Sequence, residues 1–435
     1  MSEIRVEGDL DLNAAWDGTR FYDESFLSGS PVTTRLRGAA AWVSGDDATG
    51  WHLGRDPLGI NKLFWVRDQD GTIVIAARPR RLVDAGFAFD DVRALPCGAA
   101  IDLARSSPEP IERSIAPASW YEGGAGEGRS IEAIGSEIRT TLSEYLGAMA
   151  SALKPQHVYV CLSGGLDSSG IAGLAREVFP SVIAVSFDLR RPGGSRSDDR
   201  TAGARVAADL KISLLDATVT GEDLLDHLDM VLVEGIDWRD FNVHAALVNA
   251  ALARTIAESA AADDSSIVLT GDLANEFLVD YEPESYRGST YYRLPRLRPA
   301  MLRASLVRGL DTCNREIGVF AAHGLRVVQP YAAAVDAYMS LPESFLVRAD
   351  RKPALSRSIF GTLVPEHVYT RKKVRAQVGS TSGGGVLGLC LDHGIDPGWL
   401  RRRFCRLHRI EDMAELDRFM RAGHYRTEVP SLSGG

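Results

Sequence analysis

Lysine is scarce in this 435-residue chain. Of its 49 lysines and arginines, only Lys62, Lys154, Lys211, Lys352, Lys372 and Lys373 are lysine, so a lysine beside a candidate site is more informative than usual. Cysteine is also sparse: Cys97, Cys161, Cys313, Cys390 and Cys405 are odd in number and never form a Cys-x-x-Cys pair. That pattern excludes a disulfide framework and a zinc site, and it fits reduced thiols in a cytoplasm. No apolar run is long enough to span a bilayer, and no signal peptide or lipidation motif is recognisable, so a cytoplasmic protein without a membrane partner is expected. Positive charge is in deficit, with 58 acidic residues and a formal charge of −9. This argues against a nucleic-acid partner, which needs a basic face. The remaining composition, 45% hydrophobic and 25% charged, is that of a globular chain with enough core for two or three domains.

Three textures follow one another along the chain. Up to about Ile115 there are short β-like runs, Ala39 to Val43, Trp51 to Leu53, Leu63 to Val66, Thr72 to Ala76 and Ala99 to Leu103, broken by Gly, Asp and Pro. The glycine-rich piece from Glu122 to Gly128 reads as a linker or surface loop. Ser130 can then cap a helix in which Ile131, Ile134, Ile138, Leu142, Tyr145, Met149 and Leu153 recur at three- and four-residue spacing. Beyond it, strands at Val158 to Leu162, Val182 to Phe187 and Ile267 to Thr270 alternate with helical stretches such as Gly170 to Val178, Arg200 to Leu210 and His244 to Ala261. The alternation predicts an α/β fold, a parallel sheet wrapped by helices, with ligands at the carboxyl ends of the strands.

The most informative segment is Ser163-Gly164-Gly165-Leu166-Asp167-Ser168-Ser169, directly after the first of those strands. Two glycines let the backbone approach a phosphate, and the helix that follows offers N–H groups and the positive end of its dipole. The hydroxyls of Ser163, Ser168 and Ser169 add donors, and Asp167 supplies a hard oxygen for Mg2+. The loop lacks the Gly-Lys-Ser/Thr of a Walker motif and is too short for a dinucleotide fingerprint. An ordinary Gly-Ser turn is the plainer alternative.

Two further segments carry candidate chemistry. After Ile267 to Thr270 comes Gly271-Asp272-Leu273-Ala274-Asn275-Glu276, which puts two carboxylates at a strand end. A carboxylate there can take a proton from an amine or hold a metal, or it can simply favour a helix N-terminus. The second is Arg371-Lys372-Lys373-Val374-Arg375, four cations within five residues running into the glycines from Gly379 to Gly385. Such a run is either a solvated face or a set of charges over a leaving pyrophosphate or AMP.

The segments together resemble the asparagine synthetase B superfamily. Ser163 to Ser169 is similar to its ATP-pyrophosphatase (PP) loop, Leu269 to Tyr281 to its Gly-acidic motif, and Lys352-Pro353-Ala354-Leu355, Leu363-Val364-Pro365 and Arg371-Lys372-Lys373 to its C-terminal block. Arg55 to Phe64 and Leu95-Pro96-Cys97-Gly98 resemble parts of its glutaminase domain. The resemblance implies a shortened β-rich N-terminal nucleophile-hydrolase-like domain over residues 1–115, a linker over 116–130, a PP-loop synthetase domain over 131–427 and a flexible tail over 428–435.

The departures from the family pattern imply which kind of member this is. Ser2 stands where the family's glutaminases have a nucleophilic cysteine, and the segments that bind glutamine are not recognisable. The chain thus resembles the glutaminase-deficient branch of β-lactam synthetase and carbapenam synthetase, with glutamine not the nitrogen donor. Asp272 stands where that branch has a tyrosine, and Asn275 where the family has a metal-binding aspartate.

From the resemblance, ATP and Mg2+ are the expected cofactors, and the partners are a small carboxylic acid and an amine, with a homodimer left open. Ser163, Gly164, Gly165, Leu166, Asp167, Ser168 and Ser169 would hold the phosphates. Val185, Ser186, Phe187, Thr270 and Gly271 would line the adenosine, and Asp167 and Glu276 would bind metal. Asp272, Lys373 and Glu276 are the implied catalytic groups, Asp272 taking the amine's proton and Lys373 stabilising the oxyanion and leaving AMP. The loop Trp238 to His244 is expected at the acyl substrate. The arginine-rich composition and lost glutaminase point toward specialised metabolism. An intermolecular ligase and an intramolecular lactam synthetase remain the alternatives, with a non-catalytic binding member as a third.

Overall fold

A computed structural model of the chain describes residues 4–24, 36–46, 50–103, 111–114, 128–190, 197–259, 261–263, 265–307, 315–371, 378 and 384–419. The β-like runs of the N-terminal region form two four-stranded sheets. One is ordered Ile4–Val6, Ile73–Ala76, Phe64–Arg67, Arg93–Ala94, and the other Ile111–Ser114, Ala99–Leu103, Gly50–Arg55, Ala41–Asp46. Alternate residues of both, among them Val43, Leu53, Trp65, Ile73, Ile75 and Ile101, share one buried cluster, as period-two patterning requires when two sheets face each other. The region's first helix is α1 (Pro79–Asp84).

The helix α2 (Ile131–Leu153) has the boundaries its periodicity predicts. Ser130 accepts from the Ala133 amide at 3.1 Å, and Ile134, Ile138, Leu142, Tyr145 and Met149 are fully buried. This helix joins the two halves of the molecule. Tyr145 donates to the Ala14 carbonyl at 2.7 Å, and one continuous apolar core contains Phe64 and Val74 from the N-terminal half together with Leu142, Val160 and Leu174 from the other.

The C-terminal half is an open sheet of five strands, all parallel: β1 (Val158–Cys161), β2 (Val182–Leu189), β3 (Ser213–Val219), β4 (Ile267–Leu269) and β5 (Arg326–Val328). Their spatial order is β3-β2-β1-β4-β5. The chain therefore reverses direction between β1 and β4, which opens a crevice at their carboxyl ends. The crossovers are α3 (Leu166–Val178), α4 (Asp198–Leu210), α5 (Leu228–Glu234) and α6 (Asp240–Ala257). The third expected helix lies four residues earlier than its sequence pattern suggested. The α3 helix also begins earlier, at Leu166 instead of Gly170, because Gly165 is its N-cap and the phosphate-loop residues form its first turn. The remaining elements used below are α7 (Ala274–Leu278), α8 (Ile317–Ala321) and α9 (Arg351–Phe360). Among the described residues no helix is long and apolar enough to cross a membrane, and Cys97, Cys161, Cys390 and Cys405 are free thiols. Ser2, the stretch 116–127 and the tail 428–435 lie outside the described residues.

Candidate active site

The β1–α3 loop has the shape its composition demands. Gly164 has φ +71°, and a Cβ there would lie 2.6 Å from Ala202, so both backbone conformation and space require glycine. Gly165 caps α3 without a side-chain hydrogen bond, leaving the helix's first amides for an external acceptor. The Ser163 hydroxyl lies 3.1 Å from that of Ser168 and accepts from the Gly165 amide at 3.3 Å, which folds both serines over the loop. Ser169 is fully buried beneath them.

Val185 pairs with Cys161 at the end of β1, and Ser186 and Phe187 continue past it at the level of the loop. On the other side Thr270 donates its amide to Val328 at 3.1 Å and ends β4. Gly271 packs flat on the start of α3: a Cβ would sit 2.6 Å from the Ser168 amide nitrogen and 2.8 Å from the Asp167 carbonyl carbon. The missing side chain brings Asp272 into the crevice. The turn is strained, since Leu273 and Val279, apolar residues on either side of α7, both have left-handed backbones at φ +85° and +52°. Such conformations cost roughly 1–3 kcal/mol each and concentrate at functional sites.

Two charge clusters fill the crevice. In the first, the Lys352 ammonium at the start of α9 donates to an Asp167 carboxylate oxygen and to Asn275 Oδ1, and lies 3.5 Å from Asp280 Oδ2. Burial works against the charged lysine, but Asp167 and Asp280 outweigh it and hold its pKa above the ordinary value. Tyr331 donates to the Asp167 carbonyl at 3.0 Å, and Arg351 to the carbonyls of Leu278 and Val279 at 3.0 Å, so α9 and the Asp272–Asp280 segment are tied together.

In the second cluster Arg315 pairs with Asp272 and lies 3.8 Å from Glu276, and Glu316 accepts from Gln329 at 2.6 Å and from Thr270 at 3.4 Å. Glu316 is fully buried. Desolvation and the negative charge of Asp272 push its pKa well above a carboxylate's ordinary value. Burial would raise Asp272 too, but Arg315, the hydrogen bond with Glu316 and Lys352 bring it below the ordinary value. The two neighbouring carboxyls are thus driven in opposite directions, Glu316 up by burial and by Asp272, and Asp272 down by Arg315.

The structure corrects several expected roles. Glu276 is fully buried, with Oε1 accepting from Tyr281 at 2.6 Å. It holds Tyr281 and lies 3.8 Å from Arg315, a buried position that the expected metal-ligand and catalytic role does not foresee, and its other oxygen, Oε2, has no hydrogen-bond partner among the described residues. Among the described residues no three His, Cys, Asp or Glu side chains converge on a metal position. Asp167, at the start of α3, supplies one carboxylate of the kind through which Mg2+ is held together with substrate phosphates.

In the expected acyl loop Phe241 meets the cluster, with Arg315 5.3 Å above its ring and Tyr281 and Tyr292 at 5.4 and 5.3 Å, and Asn242 and Val243 line a small cavity with Arg315. Trp238 packs on Phe404 at 4.8 Å. His244 bonds Tyr292 at 2.9 Å and stays neutral, burial taking its pKa down to about 3. Lys373 lies outside the described residues. The cationic run does begin at the site, because Arg371 reaches the Ser163 carbonyl at 3.3 Å and Asp199 at 2.9 Å.

Lys352, Arg315 and Glu316 are site residues that the sequence motifs do not single out, whereas Arg371 belongs to the expected cationic run. Lysine scarcity was a usable signal for the first, and no local pattern marked Arg315 or Glu316.

Residues 148–316 match the model of the asparagine synthase family. The chain is 24% identical over 324 residues to carboxyethyl-arginine beta-lactam-synthase of Streptomyces clavuligerus, a match covering 71% of this chain and 58% of that protein. Solved structures that superpose include the NH3-dependent NAD synthetase of Campylobacter jejuni (TM-score 0.31, 13% identity, 69% of this chain and 95% of that one). Another is the NMN synthetase of Francisella tularensis (TM-score 0.30, 14% identity, 71% and 98%). The segment holding the β1–α3 loop, Asp272 and Glu316 is thus similar to the asparagine synthase family, in a chain that resembles a β-lactam synthetase and spans 58% of that relative's length.

Proposed function

We propose that this protein is an ATP-dependent synthetase that activates a small carboxylic acid as its adenylate and passes the acyl group to ammonia or another small amine without using glutamine. The observation that carries the reading is the adjacency of two sites across Gly271. On one side is a phosphate loop with a fixed ammonium, Lys352. On the other is a carboxyl pair, Asp272 held low by Arg315 and the buried Glu316 held high beside it.

In the first half-reaction a substrate carboxylate oxygen attacks the α-phosphorus of ATP, and the bond to the β-phosphate breaks to release pyrophosphate. The amides of α3, Ser163, Ser168 and Lys352 hold the departing charge. Mg2+, bound through Asp167 and the triphosphate, would neutralise charge there. In the second, the amine nitrogen attacks the acyl carbon, the carboxylate of the Asp272–Glu316 pair takes its proton, and the carbon–oxygen bond to AMP breaks. The similarity to a β-lactam synthase favours a second reading, in which the amine belongs to the same molecule as the acid and closes a ring.

ATP–pyrophosphate exchange across a panel of carboxylic acids, followed by product mass with and without added amines, tests both. Exchange with at least one acid is expected. A product that forms without added amine marks the ring-closing case, and product formation supported by glutamine would overturn the amine-donor assignment. No exchange with any acid, together with no ATP binding, would refute the reading.

A further inference from the structure

An arginine of the N-terminal half reaches the base of the synthetase site. Arg78, just before α1, is 5% exposed. Its two Nη atoms donate to the two oxygens of Asp11, each at 2.8 Å, and its Nε lies 3.3 Å from Glu234 Oε2 at the end of α5. Arg81 donates to the other Glu234 oxygen at 2.8 Å. Glu234 belongs to the C-terminal half, yet two arginines of the N-terminal half hold it. The Glu234 carbonyl and the Arg78 guanidinium both close on Gly318, where a Cβ would fall 2.1 Å from Glu234 O and 2.4 Å from Arg78 Nη2. Gly318 is the second residue of α8, and Glu316 is the N-cap of that helix. Asn249 secures the opposite side by donating to the Arg315 carbonyl at 2.9 Å.

Resting on the reading of Asp272 and Glu316 as the base of the amide-forming step, we infer that Arg78 is a positioning residue for that pair. The N-terminal domain then serves as the wall against which the Arg315–Glu316 turn is set. A bidentate buried arginine is a stiff strut. Gly318 lets it touch the backbone of α8 with no side chain between. The phosphate loop is fixed by other residues, Ser163, Ser168, Lys352 and Arg371. Loss of the strut should therefore loosen the second half-reaction and spare the first, and a shift of about 1 Å in a catalytic group costs on the order of 10²-fold.

The test uses the full chain and four variants, Arg78→Met, Arg78→Lys, Asp11→Asn and Gly318→Ala, each checked for folding by thermal melting. Three quantities are read. The first is binding of α,β-methylene-ATP. The second is the ratio of amide formation to ATP–pyrophosphate exchange. The third is the titration midpoint of the Glu316 carboxyl by difference infrared spectroscopy, its band assigned with Glu316→Gln. The groups facing that carboxyl are Asp272, Arg315, Thr270, Gln329 and Cys161.

Arg78→Met is expected to lower amide formation about 10²-fold and to move the Glu316 midpoint, with analogue binding and exchange changed less than about threefold; Arg78→Lys should recover part of the loss. If Arg78→Met does not fold, Asp11→Asn and Gly318→Ala decide on the same readouts. Unchanged amide formation and midpoint in the folded variants, or exchange falling in step with amide formation, would overturn the inference. If no acid supports exchange even in the unmodified protein, the synthetase reading fails by itself, and the infrared midpoint still decides whether Arg78 sets Glu316.

Discussion

The carboxyl ends of β1 and β4 lie side by side, and each presents an aspartate, yet the two charges are balanced by different means. Asp167 is matched by an ammonium from a distant helix, and Lys352 also takes up Asn275 and Asp280, whose other oxygen pairs with Arg351 at 3.3 Å, so that corner holds two carboxylates and two permanent cations. Asp272 is matched by Arg315 and sits beside Glu316, a fully buried carboxyl whose pKa burial and Asp272 push well above the ordinary value. A permanent cation suits a place where a multiply charged phosphate arrives and leaves. Two neighbouring carboxyls, one held above and one below the ordinary pKa, suit a place where an amine must be deprotonated. The difference also gives Asn275 a role: an aspartate there would add a third carboxylate around one lysine, whereas the amide oxygen accepts from Lys352 without adding charge.

The comparison breaks most sharply at Lys352. Replacing it with methionine keeps the volume, removes the cation and leaves the half-buried Asp167 without its ammonium partner. Exchange should fall by about 10³-fold and affinity for ATP should weaken with it; normal exchange would show that the ammonium plays no part in nucleotide binding. Next comes Glu316→Gln, which can still donate to Asp272 but cannot take a proton. Amide formation should drop about 10²-fold while exchange stays within a few-fold, and equal losses in both steps would dissolve the division of labour between the two strand ends.

The same variant separates the clusters by pH. Glu316 has its folded pKa raised above the ordinary 4.5, so its contribution to stability is present below about 4.5 and is lost as pH rises toward the folded value. Asp272 is lowered from 3.8, so its contribution is present above that value and lost as pH falls through the lowered one. Glu316→Gln should therefore stabilise the protein at pH 8 relative to the unmodified chain by more than it does at pH 4.5. The gain is about 1.4 kcal/mol for each unit of the raised pKa that lies within that interval. Denaturant melts at the two pH values measure it, and an equal effect at both would mean that Glu316 is already ionised in the folded protein.

How much of this was legible in the sequence divides along the same line. The loop at Ser163, the Thr270-Gly271-Asp272 end of β4 and α2 were readable because local composition fixes them: two glycines for a tight turn, a strand ending in glycine, and a helix with one apolar face. Glu316 and Arg315 were not readable. Their role comes from β4 and β5 pairing Leu269 with Val328, which brings Gln329, Thr270 and the start of α8 together from segments about fifty residues apart. The burial of Glu276 was unreadable for a related reason, since it depends on the left-handed turn at Leu273 that sets the short α7 inward, with Glu276 against Tyr281. Lys352 was in view only as part of a family-like block, and its site role depends on α9 packing against α3.

The smallest effect tests whether the two strand ends can be perturbed separately from the scaffold. Ser130 caps α2 by accepting from the Ala133 amide, at the opposite end of that helix from Lys154 and β1. Ser130→Ala removes one cap and should cost about 1 kcal/mol of stability. The core that α2 shares with both halves is otherwise intact, so exchange, amide formation and their ratio should not move even though the melting temperature falls. A change in that ratio from a substitution this remote would mean that the geometry of the carboxyl pair is set by overall tightness, in which case the local contacts at Arg315 and Gly318 would not be what determines it.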